Sequence, residues 1–181
     1  MRFFNDDYQI YGKYCDIIKK YSADHGGEKS PDSVDWKLGN GEDKPQAVKI
    51  FNAGIDCLYA AAALALQKRI KIREEEKLDK SKKMNILASA WKNRYTDFLY
   101  LYRLMILVDP DLNLDKDQRV KRAFTDVQDG EAEYAMKLFL QYAYAGLLKL
   151  DEMLSSVKSY SDLCDFACRL CNDFEGDDEE D

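Results

Sequence analysis

Nine consecutive residues, Leu58-Tyr59-Ala60-Ala61-Ala62-Ala63-Leu64-Ala65-Leu66, carry no polar group other than the Tyr59 hydroxyl. Ala and Leu lose little side-chain freedom in a helix. A helix that is apolar on every side has to be buried on every side. Val48, Phe51, Ile55, Leu58, Ala62 and Leu66 form one stripe at three- and four-residue steps, and Ile50, Gly54, Cys57, Ala61 and Leu64 cover much of the opposite side. Asp43 can cap such a helix and Pro45 suits its first turn. Asp56 lies inside the run and Lys68-Arg69 follows directly, which is too much interruption for a membrane span. The sequence therefore predicts a helix covering Val48 to Leu66, the most buried in an all-α bundle of five to six helices with no sheet.

Composition agrees with that class. Hydrophobic residues make up 46% of the 181, and there are only 3 prolines and 9 glycines. One helical domain over residues 1–174 is expected, with a glycine-rich loop at 22–42 and an acidic tail at 175–181. The loop holds Pro31, the single histidine His25 beside Gly26-Gly27, and Trp36 and Leu38, which would pin it to the core. The start of the chain, with Asp6-Asp7, does not read as a signal peptide. Five cysteines without scaffold spacing fit a reducing cytosol. A cytoplasmic protein that does not enter a membrane is the expectation.

The net charge is −7, and its distribution is informative. Seven acids from Asp173 onward leave 27 of the 34 acidic residues to face 27 basic ones, so the body is neutral and the tail carries the acidity. Such a tail reads as a solubilising end, or as an inhibitory or nucleic-acid-mimicking segment.

Other helices are expected at residues 4–21 (stripe Tyr8, Tyr11, Tyr14 or Cys15, Ile18), 84–108 (Met84, Leu87, Trp91, Tyr95, Phe98, Tyr102, Met105) and 131–155 (Ala135 to Met153). Arg94 falls on the apolar side of the second of these, with Asp56 as a candidate partner. The segment Asp109 to Asp117 fails as a calcium loop, since neither register supplies both the glycine and the final glutamate. It reads instead as a turn and a short helix ending near Phe124, with Asp115 as N-cap and Gln118 reaching back. Ser159 and Asp162 likewise open a last helix.

Little catalytic chemistry is legible. There is no phosphate-binding glycine loop, no serine elbow and no HExxH pattern. Cys164, Cys168 and Cys171 form a helical stripe, but zinc would need a fourth ligand from His25, Cys15 or Cys57, and burial of the thiols is the expectation. No enzyme activity, metal or cofactor is expected. One charged segment stands out. Between residues 68 and 83 eight bases meet four acids. It is a solvated helical extension or a nucleic-acid contact through Lys68, Arg69, Lys71, Arg73, Lys80, Lys82 and Lys83.

Three stretches, Phe4 to Tyr14, Leu101 to Leu107, and Arg119 to Phe124 with Leu138 to Tyr142, together resemble small helical accessory proteins encoded in bacterial anti-phage defence loci, including those around DNA phosphorothioation. The resemblance implies a bacterial cytosolic partner protein, and a complete helical core without any catalytic constellation points to a non-catalytic helical protein that binds another protein inside a larger bacterial assembly. The alternatives are a nucleic-acid-contacting subunit, from residues 68–83, and an acidic inhibitor or immunity protein, from the tail.

Overall fold

The computed structural model describes residues 4, 6–23, 49–73, 77–125, 131–157 and 159–175. Among them are seven helices and one small sheet. The predominantly helical architecture is as the sequence predicts, but the sheet is not. Strand β1 (Tyr8–Tyr11) pairs antiparallel with β2 (Lys83–Ile86), in the register Tyr8 with Ile86 through Tyr11 with Lys83. Tyr8 and Tyr11 sit three apart and so imitate a helical stripe, yet here they alternate along a strand. Gly12 ends the ladder by donating its N–H to the Lys82 carbonyl at 2.8 Å, at a φ of +59° that favours glycine. Helix α1 (Gly12–Tyr21) follows, and its Tyr14, Cys15 and Ile18 are buried as expected.

The central apolar run is helical over Gly54–Gln67 (α2), not from Val48. The reason is visible in the backbone. The N–H groups of Ile50 and Phe51 are both spent on the Tyr21 carbonyl, at 2.9 and 3.0 Å, while Ala23 donates to Phe51 at 2.8 Å. Those donors stitch the chain to the end of α1 and cannot open a helix. The expected Asp43 cap, Pro45, His25, Trp36 and Leu38 lie outside the described residues. Ala23 and Ile50 flank the same end of α1.

The expected helix over 84–108 is divided. After β2 come α3 (Ala88–Asn93) and α4 (Tyr95–Val108), with Arg94 between them at φ −119°, ψ 16°. Arg94 Nη2 pairs with Asp56 Oδ1 in the first turn of α2, and Nη1 reaches Asp97 at 3.4 Å. The break lets Trp91 and Phe98 meet on one aromatic cluster. Phe4 stacks on Trp91 at 5.2 Å and meets Phe139 edge-on at 5.1 Å, an arrangement that rings favour beyond their buried area. Leu87 and Tyr95, expected in the core, are instead exposed at the two helix starts.

Helix α5 (Lys116–Phe124) begins with the expected capping box, Asp115 accepting from the Gln118 N–H at 2.8 Å and Gln118 Oε1 from the Asp115 N–H at 3.1 Å. Helix α6 (Ala132–Leu154) is the longest, and it has the larger share of buried residues: 13 of its 23 against 7 of 14 in α2. The most buried helix is therefore not α2, since α1, with 6 of its 10 residues buried, also exceeds its share; α6 is the principal packing contact of α2. Helix α7 (Tyr160–Glu175) opens with Ser159 and Asp162 bonding reciprocally, and its Leu163 and Phe166 pack on the core. Cys15 and Cys57 are buried, but Cys164 and Cys168 are exposed, contrary to the expected burial of that stripe. Among the described residues no helix is long and apolar enough to cross a membrane, and no group of His, Cys, Asp and Glu could hold a metal ion.

Candidate functional site

The basic segment expected to meet nucleic acid is not a helical extension. Lys68 and Arg69 end α2 in an exposed turn, and residues 70–73 then run along α6, Ile72 donating to the Gln141 carbonyl at 3.0 Å. This course carries Lys71 inward. Its Nζ lies 2.8 and 2.7 Å from the two oxygens of Asp109, a residue with 0% exposure, and 3.0 Å from Asp111. Arg73 reaches Asp111 at 3.1 Å. The Lys71 hydrogen bond, with Coulombic help from Lys71 and Arg73, holds the Asp111 carboxyl below the usual range. Burial first, and then Asp109, pushes the Tyr142 hydroxyl up. Arg119 closes the same corner by donating to the carbonyls of Ile106, Asp109, Leu112 and Leu114. Each of these polar groups has an internal partner, which makes the corner a clamp holding the segment after α2 to the turn after α4.

Of the other candidate residues, Lys82 pairs with Asp16 at 2.7 Å. Lys80 and Lys83 are exposed in the turn before β2 and on β2. The structure thus draws Lys71, Arg73 and Lys82 to carboxylates and spreads Lys68, Arg69, Lys80 and Lys83 over two turns and strand β2.

A different surface has the composition of a binding site. Helices α4 and α5 pack together and leave large side chains uncovered. Phe124, the last residue of α5, is 63% exposed, and Tyr100 on α4 is 59% exposed. Val120, one turn before Phe124, and Tyr134, in the first turn of α6, are exposed as well. Two arginines lie on these rings. The Arg103 guanidinium is 5.5 Å from the Phe124 centroid, and Tyr100 precedes Arg103 by one helical turn. The Arg122 guanidinium is 4.9 Å from the Tyr134 centroid. Burial raises the pKa of the Tyr102 phenol, and the nearby charge of Arg122 opposes the rise. The Nε atoms of Arg103 and Arg122 are shielded and lack a hydrogen-bond partner among the described residues. Neither guanidinium meets a carboxylate among those residues. Their charge is offset by ring faces, each contact being worth about 0.5–1 kcal/mol at an exposed site.

The apolar stripe of Phe98, Tyr102 and Met105 marks only one side of α4 and draws the reading of the sequence away from the other. The signal on that other side is Tyr100 with Arg103 at i,i+3, off the stripe, beside a short basic helix that ends on an aromatic residue. Comparison with family models, curated proteins and solved structures found no match to this chain.

Proposed function

We propose that this chain is a non-catalytic helical subunit that binds another protein through the surface formed by Tyr100, Arg103, Val120, Arg122, Phe124 and Tyr134. The observation that carries this reading is the exposure of Phe124 and Tyr100 beside two arginines without carboxylate partners among the described residues. Exposed Leu or Val scattered singly needs no explanation, but exposed Tyr and Phe with arginines laid on their rings are the residue types that interfaces favour and hot spots use. The setting proposed for the subunit is a bacterial defence-related assembly, on the resemblance of its core-forming stretches to accessory proteins of such loci. The nucleic-acid reading of residues 68–83 takes second place, because Lys71 and Arg73 already serve Asp109 and Asp111.

The test is affinity capture from source cells with the wild-type chain and with Tyr100→Ala/Phe124→Ala. Mass spectrometry should find a protein partner held by the wild type and lost from the variant, with circular dichroism unchanged. A partner retained at full strength by the variant, or nucleic acid recovered in place of protein, refutes the reading.

A further inference from the structure

The charge around this surface says what kind of partner segment it fits. Helix α5 carries Lys116, Arg119, Lys121 and Arg122 against Asp117 alone. Arg103 joins them from α4. Arg119 is spent on backbone carbonyls, which lend it no negative charge, so its cation also adds to the local field. The excess is local: Asp115 at the N-cap and the exposed Glu131 and Glu133 border it. Exposed on this basic ground are two rings, Phe124 and Tyr100, able to take an apolar side chain.

Resting on the protein-binding reading, we infer that the surface takes an acidic segment of a partner protein, with carboxylates on Arg103, Arg122 and Lys121 and one large apolar side chain against Tyr100 and Phe124. A guanidinium laid on an aromatic ring is already oriented, so less side-chain freedom is lost when a carboxylate arrives. Nucleic acid fits less well. Phosphate backbones draw their affinity from many cations along a track, whereas the cations here form one short cluster on α4 and α5, bordered by Asp117, Glu131 and Glu133, which suits only a short acidic segment. The chain's own end, Phe174 followed by six acids and Gly176, has the same chemistry and is the natural rival occupant.

Fluorescence anisotropy tests the assignment on the full chain. The probe is a short labelled peptide of Asp and Glu carrying one Phe and one Leu. Its controls are the same peptide with Lys and Arg for the acids, and a single-stranded DNA oligonucleotide. The acidic peptide should bind, and more weakly as salt rises. Arg103→Gln and Arg122→Gln should each weaken binding about tenfold at low salt, the loss expected for one charge-assisted contact. Tyr100→Glu, at an exposed position where folding is not at stake, should weaken it by at least as much through like-charge repulsion.

Absence of salt-sensitive binding, equal binding of the basic peptide, or tighter binding of DNA overturns the inference. Truncation after Asp173 should leave the affinity within a factor of about three; a gain of tenfold or more would give the site to the chain's own tail instead. The two readings fail separately. A cellular partner lost from Tyr100→Ala/Phe124→Ala but kept by Arg103→Gln/Arg122→Gln leaves the protein-binding surface standing and removes the acidic segment. A partner kept by both variants removes the surface itself.

Discussion

Replacing Gly146 with Ala should destabilise the protein, although helix propensity alone says the opposite. Gly146 lies in the middle of α6 where α2 crosses it. A Cβ built there would stand 1.8 Å from the Ala61 carbonyl oxygen, 2.4 Å from its carbon and 3.0 Å from its Cα. Carbon contacts settle at about 3.5–4.0 Å, so the two helices would have to separate by about 1.5 Å along their principal contact. The obstacle is backbone, which cannot rotate away as a side chain can. Propensity favours Ala over Gly by about 1 kcal/mol in a helix interior. Overpacking a tight core costs about 1–3 kcal/mol and more where backbone must move. We expect a net loss of about 2–4 kcal/mol, or a melting temperature lower by about 5–15 °C for a chain of this size. Urea unfolding followed by circular dichroism should show a lower midpoint at unchanged slope. Gly54→Ala is the control. Its Cβ would meet the branched Ile18 Cγ2 methyl and the Met84 Cε methyl at 2.9 Å; Met84 can turn aside and only Ile18 must shift, so a smaller loss is expected. A Gly146→Ala variant as stable as wild type, or more so, would refute the packing of α2 on α6.

Three further outcomes are expected. Lys71→Met strands the buried Asp109 carboxylate and should cost about 3–5 kcal/mol, while Lys71→Met/Asp109→Asn should recover part of that loss in urea titrations; equal losses would show that the pair is not coupled. Alkylation mapped by mass spectrometry should modify Cys164 and Cys168 in the folded protein and spare Cys57, which is buried and whose thiol is pushed up to about 12 by burial and then by Asp56; rapid labelling of Cys57 would contradict the packing of α2. Burial works against ionisation of Asp151, but hydrogen bonds from Lys20 and Tyr21 at 2.7 Å outweigh it and lower the carboxyl. The folded chain therefore keeps this charge to lower pH than the unfolded one. The stability it contributes is complete above roughly pH 4 and is lost as pH falls through the lowered folded value. Asp151→Asn should flatten the acid limb of the stability profile, and an unchanged limb would assign it to other carboxylates.

What the sequence discloses depends on how local each cause is. The boxes of Asp115 with Gln118 and Ser159 with Asp162 close within one turn, and both helix starts are legible. The long helix α6 and the body of α2 announce themselves by sustained periodicity. The sheet does not, because β1 and β2 are four residues each and pair across most of the N-terminal half. The expected helix fails at Lys49 to Ala53 for a similar reason. Its donors answer to Tyr21, a partner that no local pattern contains. Arg94 shows a middle case: Asp56 is a reasonable partner to name, but that their ion pair sits at a break between two helices is not readable. The candidate surface is hidden because it arises where α4, α5 and the start of α6 converge. Only Tyr100 with Arg103 and the basic composition of α5 are local enough to see. Lys71 misleads in the other direction, since a lysine among charges looks solvated until Asp109 is brought to it by the fold.

The central claim, that this chain binds another protein through α4 and α5, is most directly tested by photo-crosslinking in source cells. A photoreactive phenylalanine analogue would replace Tyr100 in one strain and Lys83, in the basic segment on β2, in another. The account predicts a discrete protein adduct from position 100 and none from position 83. Crosslinks to nucleic acid from position 83, with none to protein from position 100, would contradict it.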